Sequence, residues 1–205
     1  DLFISSEHGE AENYTRQLDL ATGVVTVDYD ADGAHYRREY LAHLEHDLIF
    51  VRLSADRPFT ATFSLTRIND PQCLLQRSVT ADGMALDGHF EHGVSFRVEA
   101  KLISCDGTCR SAGEAVKLEG VREAIIAVDI GTSADGSVPA RESAVALPSR
   151  LSWKTLRAAH EAFFQELLGD LEVTIDAAEP DLPTDERLQA VRDGASDPTL
   201  PLLYF

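Results

Sequence analysis

His89 and His92, with Glu91 between them in Gly88-His89-Phe90-Glu91-His92-Gly93, come closest to a metal motif in this chain. Joint ligation needs converging side chains, whereas positions i and i+3 of a strand project to opposite faces, so a shared ion would require a loop or bulge there. A solvated hairpin edge is the plainer reading. His43 and His46 bracket Leu44 and Glu45 in a turn between strands and read as surface groups. His160 follows Ala159 on a helical stretch, near its apolar stripe, and is expected to pack at an interface rather than to exchange protons. Asp28, Asp30 and Asp32 are two apart, so a continued strand would line them on one face. The adjoining turn favours an acidic corner open to water. Asp176, Glu179 and Asp181 read as a hydrated linker. An acid and base pair for glycoside hydrolysis must flank one bond in space, which spacing along a chain does not establish. No phosphate-cradling glycine loop or nucleophile elbow is present. No residue is therefore assigned as catalytic, cofactor-binding or metal-ligating.

The elements that would position these groups are mostly strands. Val25, Val27 and Tyr29 alternate with polar residues, as do Phe59, Ala61, Phe63 and Leu65, and a period of two places one strand face on a core. Asp32-Gly33, Asp82-Gly83 and Asp106-Gly107 sit where tight hairpins need residues that tolerate positive φ. Cys105 and Cys109 could then face each other across the third hairpin, although three cysteines are too few for a disulfide scaffold and idle or buried thiols are the simpler reading. Leu48-Ile49-Phe50-Val51-Arg52-Leu53 is apolar on both faces and predicts a central strand covered on both sides. Segments 94–103 and 124–130 resemble it more weakly. Nine or ten strands without helices between them predict a mainly β domain over 1–147, two stacked antiparallel sheets forming a sandwich.

From 148 to 205 the pattern changes. Ser152 is a plausible N-cap for an amphipathic helix of about four turns, with Leu156, Ala159, Phe163 and Leu167 on its stripe and Gly169 as its stop. Leu171 to Ile175 alternates like a strand. Thr184 is expected to cap a short second helix with Asp185 and Glu186 in its first turn, where the helix dipole favours negative charge. Ser196-Asp197-Pro198 looks like a third helix entry.

Composition excludes some partners. Lys and Arg number 18 against 35 Asp and Glu, a net charge of −17 over 205 residues, and such a field repels nucleic acid and anionic membrane surfaces. No apolar run reaches the roughly 18 residues of a membrane span. With 44% hydrophobic residues the chain can bury a core. It opens on Asp1-Leu2-Phe3-Ile4 and stops at Leu202-Leu203-Tyr204-Phe205, so both ends are expected to be cut from a longer polypeptide. Cytoplasmic and secreted locations stay equally open.

Several ordered segments resemble a known family. Tyr14-Thr15-Arg16-Gln17-Leu18-Asp19-Leu20, Tyr36-Arg37-Arg38-Glu39-Tyr40 and Leu48 to Asp56 are similar to the R-x-L-D-L, Y-x-R-E and I-x-V-R-L-x-A-D strands of glycoside hydrolase family 95, the α-L-fucosidases and relatives acting on α-L-galactosides. Downstream, Leu182-Pro183-Thr184-Asp185-Glu186-Arg187-Leu188 carries most weight, with Asp197-Pro198 following it. The resemblance implies an amino-terminal super-β-sandwich and a helical linker that leads to a helical-barrel catalytic domain beyond this chain. It further implies an inverting parent enzyme whose glycan substrate binds in that barrel, with this chain inactive alone. The alternatives are a free-standing carbohydrate-binding sandwich, for which one Trp and five Tyr are a thin supply of stacking rings, and the β-domain of another glycosidase or glycoside phosphorylase.

Overall fold

The computed structural model describes residues 1–133, 151–171 and 173–204. The expected boundary between 147 and 148 lies outside them. Two compact units result, Asp1–Gln165 and Glu166–Phe205.

The first unit contains ten strands: β1 (Leu2–Ser6), β2 (Glu12–Asp19), β3 (Val24–Ala31), β4 (Ala34–His43), β5 (Leu48–Leu65), β6 (Cys73–Val79), β7 (Gly83–Phe90), β8 (Ser95–Cys105), β9 (Thr108–Ala112) and β10 (Ala115–Ser133). All pair antiparallel, in the order β2-β3-β4-β5-β10-β8-β7-β6, with β1 beside β5 and β9 beside β10. β5 and β10 are long because each belongs to two sheets. Leu48 to Ala55 of β5 lie beside β4, whereas Ala61 to Leu65 lie beside β1. β10 likewise pairs with β8 from Ala124 onward and with β9 from Ala115 to Glu119. Between these stretches the β5–β10 register shifts twice, around Val121. Such bulges bend strands and let them turn a sandwich corner. The mainly β, two-layer fold is thus the expected one.

Alternation of period two holds along the second half of β5. Phe59, Ala61, Phe63 and Leu65 are all buried, and they face Val51, Leu53, Ala124 and Ile126 of the larger sheet across one core. Asp32 and Gly33 form a two-residue turn with φ of 51° and 73°, the left-handed pair that a hairpin of this length requires. Asp106-Gly107 is different. β8 and β9 do not pair with each other; both run along β10, one after the other. The segment is a bulge clamp rather than a hairpin turn: Asp106 Oδ1 accepts the Arg122 and Glu123 amides at 2.8 and 3.0 Å, and a Cβ on Gly107 would sit 2.6 Å from the Glu119 carbonyl oxygen. Cys105 and Cys109 are neighbours beside β10, not across a hairpin, and together with Cys73 they are free thiols. Burial, with Cys105 and Asp82 adding to it, pushes the Cys109 thiol up.

α1 (Trp153–Leu168) starts at Ser152, whose Oγ accepts the Thr155 amide at 3.2 Å. Trp153 and Leu156 bury themselves with Val24, Leu41, Leu48, Phe50, Ile125 and Ala127 on the outer face of the larger sheet. The central strand β5 is therefore covered on both sides, by the sandwich core and by α1. Burial of Trp153 and Leu156 contributes on the order of 2 kcal/mol each. The buried stripe is Trp153, Leu156 and His160 with Phe164 half-buried, while Phe163 is exposed and Ala159 half-buried. The stripe expected from the sequence is off by one position in the second half of the helix, because His160, polar by type, packs inward.

In the second unit, α2 (Thr184–Arg192) begins with Thr184 itself; Pro183 precedes it and no side chain caps it, so Thr184 is not the cap. Asp185 and Glu186 do occupy the first turn. Leu171 and residues 173–175 form no strand ladder. Asp197 starts a short 3-10 helix, Leu200–Tyr204, by accepting the Thr199 and Leu200 amides. Arg187, 4% exposed, is held by Asp197 at 2.7 and 3.0 Å, by Glu179 at 2.8 Å and by the Thr199 hydroxyl at 2.9 Å. These contacts hold Asp197 down at about 2, the Arg187 hydrogen bonds first among them. No helix of the described residues is long and apolar enough to cross a membrane.

Candidate functional site

Alternation along β4 sends Arg37, Glu39, Leu41 and His43 to the face that α1 covers. Leu41 supplies the apolar centre of this seam. At one end Glu39, 1% exposed, is surrounded by guanidinium groups: Arg52 at 2.6 Å, Arg157 of α1 at 2.8 Å and Arg37 at 3.8 Å. Arg52 also bonds Glu123, and Arg157 also bonds Glu161 one helical turn on. A buried carboxylate needs such partners, because the charge is otherwise costly to remove from water. At the other end His43 and His160 are buried, and His46 stacks on His43. The surface reading of His43 is thus corrected: α1 lands on it. His160 packs at an interface, as expected.

Over its last turns α1 leaves Phe163, Leu167 and Leu168 exposed, beside and beyond the buried stripe. In the second unit Leu171, Val173 and Leu182 are exposed as well. Large exposed apolar groups clustered at one end of a helix mark a surface suited to another body.

The aspartates of β3 form a second feature. Asp30, Asp32, Glu10, Glu12 and Asp56 line an open cleft of about 680 Å³ with Asn13 and His35. Asp28 and Asp30 share one strand face, as the spacing predicts, and His35 lies between them at 3.3 and 2.9 Å. Asp32 instead accepts the Gly9 amide. Hydrogen bonds from Asn13 and then His35 hold Asp30 below the ordinary carboxylate value, and the bond to Asp30 raises His35. Asp106, Glu119 and Asp197 are also held down. A glycosidic general acid needs a carboxyl pushed the other way, so these four are suited to holding cations and amides, not to protonating a leaving oxygen.

The remaining histidines are local. His89 Nδ1 and the Ser95 hydroxyl are 2.7 Å apart across the β7–β8 pair, while His92 is exposed at the turn, 3.9 Å from Glu91. Among the described residues no group of three or more His, Cys, Asp or Glu side chains is arranged to hold a metal ion. Sequence reasoning missed Glu39 and Arg52. The signal available was a pair of opposite charges on the strand faces that also carry Leu41 and Phe50.

No curated protein matches the chain. Among solved structures, one named "Putative kojibiose phosphorylase from human microbiome" is similar with a TM-score of 0.55 and 13% identity, over 82% of this chain and 27% of that one. This likeness shows the fold. The chain spans about a quarter of that protein's length. Residues 1–137 match the family described as glycosyl hydrolase family 65, N-terminal domain. The comparisons lend no support to family 95, to which the strand motifs are similar. With two thirds of its length matched and the sandwich in place, the chain belongs to the family of glycosyl hydrolase family 65 N-terminal domains.

Proposed function

We propose that this chain is the β-domain and linker of a glycoside-cleaving enzyme of the family 65 kind, a glycoside phosphorylase or hydrolase, and that its own work is to seat a catalytic domain. The family match over residues 1–137 carries the reading. The course of α1 supports the seating role: its first turns are anchored to the larger sheet by Trp153, Leu156 and the Glu39 cluster, and its last turns offer Phe163 and Leu167. The occupant is the helical catalytic domain of the same polypeptide. The lowered carboxylates agree with a scaffold rather than a reaction centre.

Likeness to a protein named as a kojibiose phosphorylase favours a phosphorylase as the parent. In that reaction phosphate oxygen bonds the anomeric carbon, the glycosidic bond breaks, and a general acid of the catalytic domain protonates the departing oxygen. The full-length product should release sugar 1-phosphate from a glucosyl disaccharide only when inorganic phosphate is present. Phosphate-independent release of free sugar would make it a hydrolase, turnover of an aryl α-L-fucoside alone would restore the fucosidase reading, and inactivity on all three overturns the proposal. The seating role has its own measurement. Phe163→Ala should cost less than about 1 kcal/mol in this chain, where the ring is exposed, and about 2 kcal/mol or more with the catalytic domain present. Equal costs would exclude that surface as the seat.

A further inference from the structure

The histidine end of the α1 seam carries a charge problem that the scaffold role does not need. His43 is 1% exposed and neither ring nitrogen has a hydrogen-bond partner. Its ring stacks on His46 at 4.5 Å, meets Phe50 edge-on at 5.8 Å and lies 6.2 Å from His160 of α1. His160 is also buried, and its Nε2 donates to the Thr22 carbonyl at 2.8 Å, which fixes the proton on that nitrogen in the uncharged ring. The groups facing His43 are His46 and Glu45 from its own turn and His160 from α1, with the Leu156 carbonyl turned toward the ring without reaching a hydrogen bond. Asp47 lines the small hollow beside it. No carboxylate bonds the ring.

We propose that His43, packed between His46 and His160, is a proton-controlled latch: uncharged, it lets α1 close on the larger sheet, and its protonation loosens the seam. An imidazolium at His43 would be a buried charge without an acceptor, stacked on a second histidine and near a third. Burial first, then His46 and His160, pull His43 below the ordinary histidine value, against the smaller opposing effects of Glu45 and the Leu156 carbonyl. The sign follows. The opened seam binds protons more readily, so the closed form is fully stable above the ordinary histidine value of 6.5 and loses stability as pH falls toward the lowered one. The latch concerns this chain alone and holds whichever reaction the parent enzyme runs.

Trp153, the one tryptophan, is buried on the same seam and reports its opening. Between pH 7.5 and 5.5, above the carboxylate range, its emission in the 205-residue chain should move to longer wavelength. Hydrogen exchange of α1 amides, corrected for intrinsic rate, should lose about tenfold protection while β5 and β10 keep theirs, as expected for one proton taken up over roughly one pH unit. His43→Phe keeps the ring packing without the titrating group and should flatten both responses. An unchanged seam in the unsubstituted chain down to pH 5.5 overturns the proposal, as does a His43→Phe chain that still responds. Should His43→Phe not fold, His43→Leu, smaller and equally unable to take up a proton, should flatten both responses; a response that persists overturns the latch.

Discussion

Glu39 shows how little a strand's own pattern says about the burial of one residue. It stands in Tyr36-Arg37-Arg38-Glu39-Tyr40, legible as a strand, and a period-two pattern assigns its face to water because Tyr36 and Tyr40 point the other way. α1 reverses that assignment by covering the second face, a contact 118 residues away along the chain. His43 departs from its surface reading for the same reason. Such burial depends on where a distant helix lands, and no local pattern encodes it. Replacing Glu39 by Ala would leave Arg52 with Glu123 and Arg157 with Glu161, so their charges keep partners, but the bond between sheet and helix is lost. We expect Glu39→Ala to lower the unfolding free energy by about 2–3 kcal/mol, read as a lower denaturant midpoint at unchanged slope. Gly23, at a φ of 66°, is the opposite case, a residue chosen for what it lacks: a Cβ there would come 2.7 Å from the Phe164 ring. Gly23→Ala should cost about 1–2 kcal/mol. In a Phe164→Ala background the penalty should shrink toward the backbone part alone, which a double-mutant cycle measures.

At the scale of elements, strands and turns are legible in the sequence, and the bend is not. Asp-Gly pairs signal a reversal of the chain, and at Asp32-Gly33 that is what they do. Asp106-Gly107 has the same residues with another use, because β8 and β9 keep one course along β10 and the pair clamps the bulge opposite. Partial burial raises the Asp106 carboxyl, but the Glu123 and Arg122 amides more than offset it and the group is lowered overall. Its contribution is therefore present above the ordinary carboxylate value of 3.8 and fades as pH falls below it. Asp106→Ala should lower stability by about 1–2 kcal/mol at neutral pH and by less at pH 3, a difference that paired denaturation curves would reveal. Equal losses at both pH values would mean that Asp106 clamps nothing. The helical stripe of α1 is half legible: large apolar residues mark the helix, but its buried side runs through His160, which hydropathy alone sends outward.

Over the whole molecule, the chain reads as a β-sandwich with a helical extension from its sequence, while the motifs resemble family 95 and the matched family is the family 65 N-terminal domain. The structure supplies the reason. Arg187 and Asp197, which anchor the most specific of those motifs, are engaged with each other and with Glu179 and Thr199. These contacts hold the segment around α2 in shape, so the motif reports local structure and not specificity. Arg187→Ala should let protease cut within 166–205 at least tenfold faster, with the melting of the sandwich unchanged; a joint loss of both would mean the units are not separately stabilised. The long bent strands β5 and β10 bear on a different matter, the order in which the chain can fold. Each sheet has its middle formed by this pair, Phe63 against Val116 in one and Phe50 against Ala127 in the other. About fifty residues separate the end of the first strand from the start of the second, so the hairpins on either side can be joined into sheets only after that loop closes, and folding should be slow. During synthesis the first hundred or so residues would emerge with β5 lacking its central partner in both sheets. They would depend on a chaperone or on speed until β10 slides into the gap and completes two layers in one step.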